Sequence, residues 1–212
     1  MRVLSFVESA DLCHEAQIPI PHGKIVGNIR DAVYAAQKIG FPVVLKVISP
    51  DIVHKTDAKV VVVDVRTADE VARACELILK NAHGVKAKID GVLVQKFVSG
   101  DVHMIVGAKR DPVFGPVVLV GAGGVFAEVE ADTSVRVCPL TKDDVESMLS
   151  ELRVSKILGG FRGLTFDRAG LIEVVLKVSH LMVKNPDIIE LDLNPLVITS
   201  DSVSAVDVRI LC

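Results

Sequence analysis

The stretch Gly40–Asp57 reads G-F-P-V-V-L-K-V-I-S-P-D-I-V-H-K-T-D. Val43, Val44, Leu45, Val47 and Ile48 form an apolar strand with one charge in its middle, Lys46. Burying a lone ammonium is unfavourable, so Lys46 is expected to face an anion or a carboxylate. The alternative is an edge-strand lysine whose head reaches water. A Ser49-Pro50 turn follows, then His54 with Lys55 and Asp57 close behind. A neutral imidazole, with an ordinary pKa of about 6.5, is a competent nucleophile toward phosphorus. Asp57 is placed to fix its tautomer and Lys55 to favour an incoming phosphate, although an isolated loop histidine reads the same way. A lysine on a strand followed by a histidine on a loop suits phosphate chemistry, one group holding the anion and the other attacking it.

Outward from this stretch, helices and strands interleave. Helices are expected over Val7–Gln17, Arg30–Ile39, Thr67–Asn81, Thr141–Leu152 and Arg168–Lys184, from apolar residues at helical spacing and capping residues such as Thr67 with Glu70. Strands are expected over Val43–Ile48, Val60–Val65, Gly91–Val98, Val102–Ala108, Val117–Gly121 and Ser134–Val137. Three more close the chain: Ile188–Asp192, Leu196–Thr199 and Ser204–Ile210. The mixed order predicts an α+β fold of two α/β lobes, residues 1–98 (with the N-terminal helix) and 99–212.

Composition excludes several classes. Half of the 212 residues are apolar, 24% are charged and the net charge is −3, so the basic excess of a nucleic-acid binder is missing. Aromatics are scarce, with no Trp and one Tyr, so a base-stacking platform is not expected. The apolar runs are strand-length, too short to span a bilayer. Glu8 and Asp11 arrive too early for a signal peptide. Cys13, Cys75, Cys138 and Cys212 lack C-x-x-C spacing and read as reduced thiols, so a cytoplasmic protein is expected.

Three further constellations carry chemistry. Gly121–Gly124, G-A-G-G, follows a strand, where glycines let backbone N–H groups approach an anion; a tight hairpin turn is the alternative. Arg110–Pro116, R-D-P-V-F-G-P, places Arg110 for bidentate contact with a phosphate or carboxylate, and a structural turn explains its prolines equally well. In Glu190–Leu196, E-L-D-L-N-P-L, strand alternation puts Glu190, Asp192 and Asn194 on one face, with Asp207 expected on the neighbouring strand. These hard oxygen donors suit Mg²⁺ beside a nucleotide's phosphates, unless they form a solvated polar face.

Taken together, the four stretches occur in the order found in ATP-grasp domains. The chain resembles in particular the β subunit of ADP-forming (NDP-forming) acyl-CoA synthetases, such as acetyl-CoA synthetase, which are related to the β subunit of succinyl-CoA synthetase. The stretches are G-F-P-V-V-L-K-V-I-S-P-D-I-V-H-K-T-D, V-G-A-K-R-D-P-V-F-G-P-V-V, G-A-G-G-V-F-A-E-V, and E-L-D-L-N-P-L with A-V-D-V-R-I.

The resemblance implies that acyl-CoA, ADP and phosphate interconvert with acid, CoA and ATP, with Mg²⁺. It implies a CoA-binding α subunit carrying a phosphorylated histidine, and so a heteromer, with the nucleotide in a cleft between two lobes. Lys46 matches the phosphate-binding lysine, and His54 a second phosphate relay. Asn194 and Asp207 match Mg²⁺ ligands, with Asp192 beside them. Gly123, Gly124 and Glu128 match the loop that meets the phosphohistidine segment. Gln95 and Arg110 join Lys46 as candidate ATP/ADP-binding residues.

The chain departs from the family at four places. Lys59 and Val60 stand for two glycines, Lys96 for a glutamate at the strand that lines the adenine and ribose, and His103 for a second glutamate. A degenerate ATP-grasp subunit that binds or regulates its CoA-binding partner is therefore the alternative function. The acyl group and the choice between ADP and GDP are not written in these motifs.

Overall fold

β2 (Val43–Ile48) lies inside a four-stranded antiparallel sheet of order β1-β4-β2-β3, with β1 Gly23–Val26, β3 Val61–Val65 and β4 Gly91–Lys96. The computed structural model describes residues 2–52, 58–100, 102–123, 132–155 and 166–212. Alternation along β2 and β4 turns Val43, Leu45, Val47, Val92 and Val94 toward two helices, α2 (Ile29–Ile39) and α3 (Ala68–Gly84). Ala32, Ala35 and Ala36 supply the small surface that α2 lays on this core, and Val71, Cys75 and Ile78 come from α3. Asn28 caps α2 by accepting from the Asp31 N–H, and Thr67 caps α3 by accepting from that of Glu70. Gly40 ends α2 at φ +86°, a conformation that suits only a residue without a Cβ. These elements form one compact unit, residues 21–97.

The second unit joins residues 1–20 to residues 98–212. Its six-stranded sheet runs β10-β8-β5-β6-β7, with β9 paired to β8. The strands are β5 Val102–Asp111, β6 Gly115–Ala122, β7 Thr133–Val137, β8 Glu190–Ile198, β9 Val203–Ala205 and β10 Val208–Leu211. One face carries α4 (Lys142–Glu151) and α5 (Arg168–Lys184). Met148, Leu149, Leu171, Val175, Val178 and Met182 pack there with Met104, Val106, Val118, Val120, Leu191 and Leu193.

The structure corrects the lobe boundary expected from sequence. Helix α1 (Phe6–Glu15) belongs with the C-terminal residues, not with the first lobe. Cys13 and Ile18 are buried in the core of that unit. The Arg2 and Leu4 amides donate to the carbonyls of Cys212 and Ile210, and the Ala205 amide donates to the Pro19 carbonyl at 2.8 Å. The first strand, β1, lies outside the strands expected from sequence; it carries only four residues, one of them Gly23. E-L-D-L-N-P-L is continuous in β8, not split into two strands. Pro195, which lacks an N–H, falls where the β5–β8 ladder shifts register between Met104 and Val106.

Candidate functional site

Lys46 leaves β2 on the sheet face opposite α2 and α3, because its neighbours Leu45 and Val47 are committed to the helices. It is only 6% exposed. Its Nζ donates to Oε1 of Gln95 at 3.2 Å, and Nε2 of Gln95 donates to the Pro21 carbonyl at 3.1 Å. Gln95 pairs with Val44 in the β2–β4 ladder and lies diagonally from Lys46 on the same face. Lys96, one residue on, points the other way. Its Nζ donates to the carbonyls of Gly40 and Phe41, both at 2.9 Å, at the C-terminal end of α2. The basic residue where the resemblance expects a glutamate is thus a helix-end clamp, favoured by the negative end of the α2 dipole. Val60 is fully buried in the core of the unit, and the Lys59 carbonyl accepts from Asn81 Nδ2 at 2.8 Å. Both substituted positions therefore have structural partners.

The acidic positions lie in the other unit. Glu190, Asp192 and Asn194 leave β8 on the face opposite α4 and α5, while Leu191 and Leu193 enter the core. Asp207, between β9 and β10, is brought to them by a backbone bond from the Asn194 amide to the Asp207 carbonyl at 3.3 Å. Burial pushes the Asp192 carboxyl up, and the charges of Glu190 and Asp207 push it further; Arg209, its partner in the β8–β10 ladder, opposes them. Directly across the β5–β8 ladder from Asp192 stands Gly107, where an added Cβ would meet only the Leu191 carbonyl at 3.9 Å. The space over Asp192 is therefore not filled from that strand.

Among the described residues, no group of three His, Cys, Asp or Glu side chains is arranged to hold a metal ion. The donor set of Asp192, Asn194 and Asp207 nevertheless fits Mg²⁺, a hard cation that keeps waters and phosphate oxygens among its ligands and takes only one or two carboxylates from protein. A cation there would offset the charges of Glu190 and Asp207 that, after burial, push the Asp192 carboxyl up.

Two expected site residues have other work. Arg110 shares its parity on β5 with Val106 and Ala108, which face the helices. Its Nη2 donates to the carbonyls of Met182 at 2.8 Å and Asn185 at 3.1 Å, and Nε donates to that of Ile188 at 3.3 Å. Arg110 thus clamps the end of α5 and is not on the Asp192 face, which corrects its reading as a phosphate or carboxylate ligand. The next residue, Asp111, accepts from the amides of Val113 and Phe114 at 2.8 and 3.0 Å and closes the β5–β6 turn.

Gly123 uses its N–H on the His103 carbonyl at 2.8 Å, and a Cβ there would come within 3.0 Å of the His103 and Met104 backbone. This close approach favours glycine, and its amide is occupied. His54, Gly124 and Glu128 lie outside the described residues. Sequence reasoning missed the Pro21 carbonyl, the acceptor that anchors Gln95, because backbone acceptors leave no mark in side-chain patterns.

An ATP-grasp domain model matches residues 1–212. The chain is 39% identical over 197 residues to acetate–CoA ligase [ADP-forming] I subunit beta of Pyrococcus furiosus, covering 92% of this chain and 85% of that subunit. It is 43% identical over 192 residues to acetate–CoA ligase [ADP-forming] I of Archaeoglobus fulgidus, but spans only 28% of that longer protein against 89% of its own length.

Among solved structures, it is similar to a dinucleotide-forming acetyl-coenzyme A synthetase 1 of Ca. Korarchaeum cryptofilum in complex with coenzyme A and Ca-AMPCP. The TM-score is 0.95 at 38% identity, over 99% of this chain and 93% of that one. A second structure of that synthetase holds coenzyme A and Mg-AMPPCP, with its phosphohistidine segment pointing towards the nucleotide binding site. It matches with a TM-score of 0.84 at 37% identity, over 98% of this chain and 91% of that one. With the match running the full length of the sequence, and with both sheets and the acidic strand β8 in place, this chain belongs to the ATP-grasp domain family.

Proposed function

We propose that this chain is the nucleotide-binding β subunit, or the equivalent domain, of an ADP-forming acyl-CoA synthetase, which interconverts acyl-CoA, ADP and phosphate with acid, CoA and ATP. The observation that carries the reading is the 39% identity to a β subunit across 85% of that subunit's length. It is supported by a nearly buried ammonium at Lys46 and by oxygen donors grouped at Asp192, Asn194 and Asp207. No helix of the described residues is long and apolar enough to cross a membrane.

In this reading, residues 21–97 supply the phosphate-binding lysine and the remaining unit supplies the metal donors. Lys46 neutralises the nucleotide's phosphates, and Asn194 and Asp207, with Asp192, hold the Mg²⁺ that accompanies them. The partner is a CoA-binding α subunit with a phosphorylated histidine, whose segment would meet Gly123, Gly124 and Glu128. His54 takes the phosphoryl group from that histidine, one P–N bond breaking as another forms. An oxygen of the β-phosphate of ADP then displaces it, forming the P–O bond of ATP. Positioning and charge neutralisation supply most of the rate.

A second reading is favoured by the structural employment of Lys96 and Val60: a non-catalytic subunit that binds or regulates the partner. One experiment separates the two. ATP and ADP are titrated into the full chain with and without Mg²⁺, and ATP formation is assayed after mixing with a CoA-binding subunit, acetyl-CoA, ADP and phosphate. The enzyme reading expects Mg²⁺-dependent binding, and ATP formation that His54→Ala abolishes while binding persists. No binding at millimolar nucleotide supports the regulatory subunit, and unchanged turnover in His54→Ala removes His54 from the relay.

A further inference from the structure

Gln95 has a protein partner at each end of its amide: Oε1 accepts from Lys46 and Nε2 donates to the Pro21 carbonyl. Both ends of its amide are therefore held by the protein, and the residue is only 1% exposed. The Pro21 carbonyl also fixes which end of the amide is which, since only the NH₂ can donate to it. Gly23 stands opposite Gln95 in the β1–β4 ladder, where a Cβ would lie 3.3 Å from the Gln95 Cβ and 3.2 Å from the Val94 carbonyl. The absence of a side chain at this position leaves the amide room to reach Pro21.

We infer that Gln95 is a positioning residue, not a nucleotide ligand: it aims the Lys46 ammonium from a backbone anchor at Pro21. The inference rests on the assignment of Lys46 to nucleotide phosphates and deepens it. A neutral amide suits this task. It orients the ammonium without adding a full negative charge, whereas a carboxylate would form an ion pair that an incoming phosphate must break and would face the Pro21 carbonyl without a donor. Holding a four-carbon side chain in one rotamer before binding removes an ordering cost from the binding step. The anchor lies where the chain enters the unit, since Pro21 is its first residue and Gln95 stands two residues before its last, Phe97. The aim of Lys46 is thus referred to the segment that delivers the chain to this sheet.

The test is a double-mutant cycle on the full chain, with Gln95→Met, Lys46→Met and the pair, titrated with Mg-ATP and separately with adenosine. Gln95→Met is expected to lower ATP affinity about 10-fold while adenosine affinity stays within about 2-fold, and to have no further effect once Lys46 is Met. Gln95→Glu, which keeps the size and the acceptor, is expected to weaken ATP at least as much. Thermal unfolding accompanies each variant; if Gln95→Met does not fold, Gln95→Glu decides the matter. Wild-type ATP affinity in Gln95→Met or Gln95→Glu, equal losses for ATP and adenosine, or an undiminished loss in the Lys46→Met background would each overturn the positioning role. Unchanged ATP affinity in Lys46→Met would instead overturn the phosphate assignment beneath it.

Discussion

Arg110 and Asp192 leave the six-stranded sheet on opposite faces, although their strands are direct neighbours. Gly107 and Asp192 are partners in the β5–β8 ladder, and Arg110, three positions on from Gly107, has the opposite parity. The guanidinium therefore reaches the carbonyls that end α5, where a cation is favoured by the helix dipole, and stays away from the acidic face.

Arg110→Met is expected to remove these charged hydrogen bonds and leave three backbone carbonyls to find other donors. Stability should fall by about 2–4 kcal/mol, read as a lower urea midpoint at unchanged slope. Mg-ATP affinity should remain within about 2-fold of wild type. A large loss of affinity with normal stability would return Arg110 to the ligand set.

Much of this architecture is legible locally. Helix α5 and strand β2 follow from apolar periodicity and β-branched runs, and the acidic face of β8 follows from period-two alternation. The misread features depend on distant partners. Local pattern places helix α1 but says nothing of the bonds from Arg2 and Leu4 to the C-terminal strand. Pro195 reads as a break unless the bulge opposite it is known. Arg110 looks like an anion ligand until parity within a ten-residue strand is settled, because an error of one residue exchanges faces. Gln95 and Lys96 are adjacent polar residues in sequence; only the sheet shows one serving Lys46 and the other serving α2.

Lys96→Glu would set a carboxylate against the Gly40 and Phe41 carbonyls at the negative end of α2. A loss of about 2–3 kcal/mol is expected, larger than that of Lys96→Met, since the latter removes donors without adding repulsion. Chemical denaturation of the three proteins checks the order. Equal stabilities would mean that the clamp contributes nothing, and that the family's glutamate is compatible with this sheet.

The α1 cap contributes a pH dependence. Glu8 accepts from the Ser5 amide and from Arg2, each at 2.8 Å, while Ser5 Oγ accepts from the Glu8 amide. The Ser5 contacts first, and Arg2 after them, hold the Glu8 carboxyl at about 2 against an ordinary 4.5. The folded pKa is depressed, so the stabilisation is present above pH 4.5 and is lost as pH falls from there toward 2. Glu8→Gln should lack this component, so its melting curve against pH should be flatter and should converge with wild type near the acid end. Parallel curves would place the acid sensitivity elsewhere.

Asp192 and Asp207 separate stability from function. Asp192 is held beside Glu190 and Asp207 in a partly desolvated position that disfavours its charge. In EDTA, Asp192→Asn is therefore expected to melt above wild type, each kcal/mol recovered being worth roughly 2–4 °C in a chain of this size. Under the proposed metal assignment, adding Mg-ATP should reverse the order, because a cation at Asp192 would stabilise the carboxylate protein and not the amide. If Asp207 holds the metal as proposed, Asp207→Asn should weaken Mg²⁺-dependent ATP binding about 10-fold while leaving binding in EDTA unchanged. Thermal shift and calorimetry on the same preparations read both. If Mg-ATP raised the melting temperature of wild type, Asp192→Asn and Asp207→Asn equally, the metal would lie away from β8, and the acidic face would be a solvated surface whose charges serve only to destabilise it.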